Sequence, residues 1–106
     1  MSSDEKALAF LSICQRAGCI SHGEFQCEKS IKSGKAKVLI TALDASENTV
    51  KKFSDMASHK NIPQLRIGTR QELGKRIGKD LRSVITVNDR KMGLKISELI
   101  NSSDER

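Results

Sequence analysis

The chain has 106 residues, 37% of them hydrophobic and 30% charged, with a formal net charge of +6. This composition is typical of a soluble globular protein, and the length supports one hydrophobic core, because two halves would each bury too little apolar surface. No apolar run approaches the roughly 20 residues of a membrane-spanning helix, and residues 1–6 lack a secretory-signal pattern, so we expect a cytoplasmic protein. We expect a single domain over residues 1–100 and a solvated tail over residues 101–106.

The excess of positive charge favours nucleic acid as a partner. Lys and Arg total 19, against 13 Asp and Glu. Such an excess attracts polyanions through the summed electrostatic field. The same excess of positive charge could serve solubility alone. The arrangement of the charges has to decide between nucleic-acid binding and solubility.

The first predicted helix spans about residues 3–17, with a Ser2–Glu5 capping box at its start and Gly18 as its stop. A short extended segment is expected next, at residues 19–21. The apolar stripe of the helix consists of Ala7, Leu8, Leu11 and Cys14.

A second helix is predicted to open at Ser21-His22-Gly23-Glu24, which has the Ser-x-x-Glu form of a capping box, and to close at Gly34. Its expected buried residues are Cys27 and Ile31. Helical spacing places a basic face with one aromatic ring on the opposite side, formed by Phe25, Lys29 and Lys32.

The third predicted helix lies between two strands. It follows the strand Val38–Thr41 and the segment Asp44-Ala45-Ser46, and it ends before Pro63, which enforces an extended entry into a strand at residues 65–67. The expected inward residues of this helix are Val50, Phe53 and Ala57.

Two further helices flank the last predicted strand, Val84–Val87. The shorter one opens at a Thr69–Glu72 capping box and stops at Gly78, and the longer one spans about residues 89–100. Their expected buried residues are Leu73, Ile77, Met92, Ile96 and Leu99. Helices that alternate with apolar strands favour an α/β sandwich of three layers, a sheet covered by helices on both faces, with the strand order left open.

The start of the second helix is a candidate anion site. A helix that begins at Gly23 offers free backbone N–H groups and the positive end of its dipole to a phosphate or to a carbonyl-bearing base edge. Lys29 and Lys32, one and two turns later, would neutralise flanking phosphates. The alternative is that Gly23 serves only the strand-to-helix turn and that the lysines form a solvated face.

Two loops are expected to border the same site. Asp44 follows one strand, and a charged segment precedes the last strand; this segment contains Lys79, Asp80, Leu81 and Arg82. Each has a plainer alternative, because Asp44 is also suited to beginning the third helix and the charged segment to being an ordinary loop.

Catalysis and metal binding have less support. Neither His22 nor His59 has a nucleophile and base nearby in sequence, and no phosphate-binding or dinucleotide-binding glycine motif occurs, so we expect no enzyme and no cofactor. Gly74 and Gly78 are spaced glycines, but they lie within a predicted helix and at its end.

A zinc-like string is formed by Cys14, Cys19, His22 and Cys27. It lacks a Cys-x-x-Cys pair and two of its cysteines fall on apolar helix faces, which favours small buried hydrophobes over ligands.

The order of several short motifs resembles the large-subunit ribosomal proteins "seven-Ae" and "thirty-e", which bind kink-turn RNA, and especially their small bacterial YlxQ-like branch. The resemblance extends from Leu8 to Leu99. Its motifs are Gln15-Arg16-Ala17-Gly18, Gly23 with Lys29 six residues later, Ser33-Gly34-Lys35-Ala36-Lys37-Val38-Leu39-Ile40, Asp44-Ala45-Ser46-Glu47-Asn48-Thr49, Ile62-Pro63, and Glu72-Leu73-Gly74 through Ile77-Gly78-Lys79.

This resemblance implies a three-layer α-β-α sandwich with a central four-stranded mixed sheet, and binding to a kink-turn in ribosomal or other structured RNA. We also expect association with the ribosome, a monomer and no membrane partner. Gly23, Glu24, Phe25 and Lys29 would contact the RNA at the helix start, with Lys32 at its backbone. Asp44 would lie at the edge of the site, and the segment Lys79, Asp80, Leu81 and Arg82 would cover flipped-out bases.

Two positions depart from the family pattern. Phe25 stands where a polar residue usually contacts guanine edges, and it can stack on a base but cannot accept a hydrogen bond. Leu43 stands where an acidic residue often precedes Asp44. The sequence therefore also allows a protein-interaction adaptor that kept the fold, lost kink-turn selectivity and uses an exposed Phe25 as an anchor.

Overall fold

The computed structural model describes residues 2–101 of the chain. Nine elements occur in these residues: α1 (Ser3–Arg16), β1 (Ile20–His22), α2 (Glu24–Lys32), β2 (Val38–Thr41), α3 (Glu47–His59), β3 (Gln64–Arg66), α4 (Arg70–Arg76), β4 (Val84–Val87) and α5 (Arg90–Asn101). Asn101 is the last residue of α5, and residues 102–106 of the expected tail lie outside the described part. None of the described helices is both long enough and apolar enough to cross a membrane.

The four strands form one mixed sheet in the order β1-β4-β2-β3. β4 and β2 are the two inner strands; β4 pairs antiparallel with both β1 and β2, whereas β2 and β3 are parallel. The register aligns His22 with Ile85, and Thr41 with both Val84 and Arg66. The ends of β1, β2 and β3 and the start of β4 therefore share one edge of the sheet.

Helices cover both faces of the sheet, which confirms the predicted three-layer fold. On one face, α1, α4 and α5 bury Leu11, Leu73 and Ile96 against Ile40 and Ile85. On the other face, α2 and α3 pack against Leu39 and Val84, and their buried residues are Cys27, Ile31, Phe53 and Ala57. Alternate β-branched side chains of β4 serve the two cores in turn, as the two-residue period of a strand requires.

Two predicted capping boxes are confirmed, at Ser2 with Glu5 and at Thr69 with Glu72. The third, at Ser21 with Glu24, is wrong. Ser21 pairs within β1, and its hydroxyl shares a 2.6 Å hydrogen bond with Ser30 instead of capping α2. Because Ser21 is paired with Thr86 in the sheet, α2 begins two residues later, with Gly23 as its N-cap.

The inward face of α3 differs from the prediction at one position. Phe53 and Ala57 are buried as expected, but Val50 is only half-buried and Thr49 is the buried residue of the first turn. The hydroxyl of Thr49 hydrogen-bonds with the side chains of Ser46 and Glu24, which satisfies its polar group in this buried place.

Candidate nucleic-acid interface

Most of the predicted site residues are gathered along the shared edge of the sheet, whereas Lys32 lies at the far end of α2, in a groove with Met56 and His59 of α3. The N–H of Gly23 donates to the carbonyl of Val84 at 3.2 Å, and the N–H of Ala42 donates to the carbonyl of Ser83 at 2.9 Å. These bonds place the start of α2, the end of β2 and the loop before β4 side by side. The edge thus brings together segments that are about 60 residues apart in sequence.

Gly23 turns the chain from β1 into α2 with φ of +83°, a conformation that side-chain-bearing residues rarely adopt. A Cβ atom built on Gly23 would meet no atom within 4 Å, so the space before the helix is open. Among the described residues, no side chain caps α2. The backbone N–H groups of its first turn are therefore available to an external acceptor.

The outer face of α2 presents one exposed ring and its cations. Phe25 is 72% exposed, and the ammonium of Lys29 lies 5.5 Å from the centre of its ring. Lys32 instead binds Glu28 at 2.7 Å, and Glu28 also binds Lys52 at 3.0 Å. Hydrogen bonds from Lys32 and then Lys52 lower the pKa of Glu28 to about 2. The charge of Lys32 is thus shared with a carboxylate, while that of Lys29 faces an aromatic ring.

Glu24 is held at the start of α2 by the neighbouring helix. Its Oε2 accepts a hydrogen bond of 2.9 Å from the hydroxyl of Thr49 in the first turn of α3. Thr49 also receives a hydrogen bond from Ser46, the N-cap of α3. The position of this carboxylate is therefore fixed although it is exposed.

Asp44 lies at the same edge but does not begin α3, whose N-cap is Ser46. Its Oδ1 accepts the backbone N–H of Arg70 at 2.8 Å, and its Oδ2 lies 3.5 Å from Nε of Arg70. The backbone hydrogen bond from Arg70 is the main cause of a lowered pKa at Asp44. Asp44 thus joins the end of β2 to the start of α4.

The segment from Lys79 to Arg82 is not a free charged loop, because it is seated on α4. The N–H of Lys79 donates to the carbonyl of Gly74 at 2.8 Å, and the N–H of Arg82 donates to the carbonyl of Arg70 at 3.1 Å. A Cβ atom on Gly74 would overlap the carbonyl of Asp80. Gly74 therefore allows residues 79–82 to pack closely against α4, with Leu81 exposed. We call residues 79–82 the seated loop, and Gly74 its seat.

His22 joins the site, although the sequence pointed to it only as a weak catalytic or zinc candidate. The Nε–H of Arg82 donates to its Nδ1 at 3.0 Å. Burial first, and then the charges of Arg82 and Lys79, lower the pKa of His22. A shallow depression of about 330 Å³ lies here, lined by His22, Gly23, Glu24, Leu81, Arg82 and Ser83. The one feature of the sequence that could have placed His22 in this site is its position directly before Gly23.

The four residues of the zinc-like string do not come together in the fold. Cys14 is buried on the α1 face of the sheet, whereas Cys27 is buried on the α2 face. Burial is the main cause that raises the pKa of each of these thiols to about 12. Within residues 2–101, no three His, Cys, Asp or Glu side chains are grouped to hold a metal ion.

The fold and this edge define an α-β-α sandwich in which α2 starts beside the seated loop without a side-chain cap from the described residues and carries Lys29 and Lys32 in its last turn. Residues 5–95 match the sequence model of the Ribosomal protein L7Ae/L30e/S12e/Gadd45 family. The chain belongs to this family, which confirms the resemblance seen in the sequence.

Two curated bacterial relatives are both named RNA-binding protein YlxQ. That of Bacillus subtilis (strain 168) is 33% identical over 91 residues, covering 86% of this chain and 91% of that protein. That of Enterococcus faecium is 35% identical over 96 residues, covering 91% of this chain and 92% of that protein. These relatives confirm that the chain falls in the YlxQ-like branch.

Solved structures show the same fold. A protein of unknown function from Bacillus halodurans superposes with a TM-score of 0.87 at 36% identity, covering 91% of this chain and 97% of that one. The 15.5kD RNA binding protein of Giardia lamblia superposes with a TM-score of 0.78 at 18% identity, covering 99% and 91%.

Proposed function

We propose that the chain is a non-enzymatic, cytoplasmic protein that binds a structured RNA with a sharp bend, a kink-turn or a similarly folded element. The observation that carries this proposal is the start of α2 at Gly23, which has no side-chain cap from the described residues, lies beside the seated loop that ends at Arg82, and is followed by Lys29 in the last turn of the helix. The names of the two YlxQ relatives support RNA as the polyanion.

Each part of the edge has a chemical task in this proposal. The first-turn amides of α2 and its dipole receive an acceptor on a base edge or a phosphate. Lys29 neutralises backbone phosphate, with Lys32 helping beside it, and Phe25 offers a face on which a base or ribose stacks. Lys79, Asp80, Leu81 and Arg82 cover unpaired bases, while Glu24 and Asp44 fix the neighbouring elements.

The proposed partner is ribosomal RNA or another RNA that contains a kink-turn, bound by a monomer without a cofactor. Titration of the protein with a kink-turn RNA and with a duplex of equal length tests the proposal, each at two salt concentrations. We expect tighter binding to the kink-turn and a fall in affinity with salt. Equal affinities reject the kink-turn, and no binding to either RNA rejects the proposal as a whole.

A second candidate function is a protein-interaction adaptor. The exposed Phe25 favours it, as does an apolar groove of about 400 Å³ between α2 and α3, which Ile31 and Met56 line. A protein that copurifies after nuclease treatment, and that is lost in a Phe25→Ala variant, would support this function over RNA binding.

A further inference from the structure

A second basic surface lies at the end of the sheet opposite the shared edge. Val38 begins β2 and pairs with Val87, the last residue of β4, and the connections 33–37 and 88–89 adjoin these two residues. The connection 60–63 joins them, because the carbonyl of its last residue accepts the N–H of Leu39 at 2.9 Å. Four exposed cations lie in or directly beside these connections, and we call them the far-end surface: Lys35, Lys37, Lys60 and Arg90.

The positive charges of the far-end surface are not neutralised by the described part of the protein. None of the ion pairs within residues 2–101 involves any of the four cations. The ammonium of Lys37 donates to the carbonyl of Gly34 at 3.1 Å, which is a contact with a neutral group. Asp89 is the one carboxylate in the three connections, and its Oδ2 accepts the N–H of Met92 at 2.9 Å. This end therefore attracts a polyanion.

The helix dipole accounts for only part of this charge. Lys37 and Lys60 follow the carboxyl ends of α2 and α3, where the dipole favours cations. Arg90 begins α5, where the dipole disfavours a cation, and the first turn of α5 has no acidic residue. The start of α5 is not itself an anion site, because the N–H groups of Met92 and Gly93 donate to Asp89.

A groove beside these cations offers apolar contacts as well. It has a volume of about 190 Å³, and Lys37, Arg90, Pro63 and Leu94 are among the residues that line it. A Cβ atom on Gly93 would lie 3.3 Å from Cβ of Lys37, so this glycine lets α5 approach the connection closely. Leu94 is 61% exposed. A phosphate held by the two cations would bring its ribose or base over Leu94 and Pro63.

From these charges and this groove, we propose that the far-end surface binds the phosphate backbone of a second RNA segment, so that one chain holds two RNA segments at once. RNA fits better than an acidic protein segment, because the cations are spread over three connections and a backbone charged at every nucleotide reaches them all. Contacts to phosphates carry no sequence information, so the second segment can have any sequence.

The far-end surface is separate from the shared edge. The N–H of Gly23 donates to the carbonyl of Val84, the first residue of β4, whereas the N–H of Lys37 donates to the carbonyl of Val87, the last one, at 2.8 Å. The two surfaces thus lie at opposite ends of one strand. This inference goes beyond the proposed function, and either can fail while the other holds.

Native-gel titration of the full chain at low salt tests the inference with two labelled RNAs, a short kink-turn RNA and a plain RNA duplex. We expect the chain saturated with the kink-turn RNA to bind the duplex as well, in a complex that contains one of each. The double variant Lys37→Ala/Arg90→Ala should bind the duplex more weakly, with a slope of log affinity against log salt lower by about one to two. Its affinity for the kink-turn RNA should be unchanged.

The matched control is Lys51→Ala/Lys95→Ala, which removes two exposed cations from α3 and α5 outside the far-end surface. Circular dichroism shows whether each variant folds, and the two single variants replace the double variant if it does not.

The inference is overturned when the saturated chain binds no duplex, or when the folded double variant binds it as the control variant does. Displacement of the duplex by polyglutamate at equal charge concentration would overturn RNA as the occupant, in favour of an acidic protein segment. A chain that binds the duplex through Lys37 and Arg90 but does not bind the kink-turn RNA would support this inference and reject the proposed function.

Discussion

Nδ1 of His22 accepts a hydrogen bond from Nε–H of Arg82 over 3.0 Å. Because an arginine Nε can only donate, this Nδ1 carries no proton, and the proton of the neutral imidazole lies on Nε2. The bond joins the residue before α2 to the last residue of the seated loop. Protonation of His22 would remove the acceptor and place two cations side by side.

We predict that stability falls in mild acid because of His22. Burial and the neighbouring cations lower its pKa in the folded chain, so the unfolded chain binds the proton more readily. The free energy of unfolding should therefore decrease as pH drops through the ordinary histidine pKa of about 6.5 and on to the lower pKa of the folded chain. Urea unfolding between about pH 7.5 and pH 5 measures this slope.

His22→Gln should flatten the acid slope over that range, and His59→Gln, at the exposed end of α3, is the matched control. Identical slopes in the original chain and in His22→Gln would show that the pH dependence arises elsewhere.

Lys29→Ala should weaken RNA binding without unfolding the chain. Lys29 is exposed and its ammonium lies over the exposed ring of Phe25, so removal of this side chain leaves the core intact. Loss of one phosphate contact should lower the slope of log affinity against log salt by about one. Lys95→Ala, on the exposed side of α5 across the sheet, is the control. An unchanged slope in Lys29→Ala would remove α2 from the interface.

Phe25→Ala should reduce affinity for RNA with unpaired bases and spare affinity for a plain duplex. A stacked base contributes about 1–3 kcal/mol on an aromatic side chain, and Phe25 is too exposed to support the core. Fluorescence titration with both RNAs measures the difference. Phe25→Tyr keeps the ring and should retain the affinity, and an equal loss in both variants would contradict stacking.

Gly74→Ala should destabilise the chain, although alanine in a helix interior is usually the more stable residue by about 0.5–1 kcal/mol. The added Cβ overlaps the backbone of Asp80, so α4 and the loop have to separate. Overpacking of this kind costs about 1–3 kcal/mol, and thermal unfolding measures it.

The matched variant is Gly93→Ala in α5, where the added Cβ would lie 3.1 Å from a Val38 methyl group that can shift slightly. We expect a smaller loss of stability there. RNA affinity should fall in Gly74→Ala and not in Gly93→Ala, and the opposite order would contradict the role of Gly74 as the seat of the loop.

Local periodicity explains what could be predicted from the sequence. β2 and β4 have their predicted bounds, and the outward face of Phe25 and Lys29 follows from helical spacing alone. The bond between His22 and Arg82 could not be predicted, because it depends on β4 lying beside β1, and no local pattern encodes strand order. The capping box at Ser21 failed because pairing in the sheet competes with a local motif.

Gly74 and Asp44 illustrate the same limit. The contact of Gly74 with Asp80 spans a turn whose path is set by packing on α4, and Asp44 meets Arg70 from 26 positions away. A glycine inside a helix pattern and an aspartate after a strand are each ambiguous by themselves. The family resemblance predicted which segments lie at the edge of the sheet. That Asp44 and Gly74 hold these segments in place follows only from the three-dimensional contacts.

One of the two inner strands of the sheet, β4, is the last of the four strands to be synthesised. Until residues 84–87 leave the ribosome, β1 has no neighbour in the order β1-β4-β2-β3, and Gly23 lacks the carbonyl of Val84 that orients it. A nascent chain that stops short of β4 therefore carries the helix-start motif without its bonding partner. Competence to bind should appear abruptly and late during translation, rather than growing with chain length.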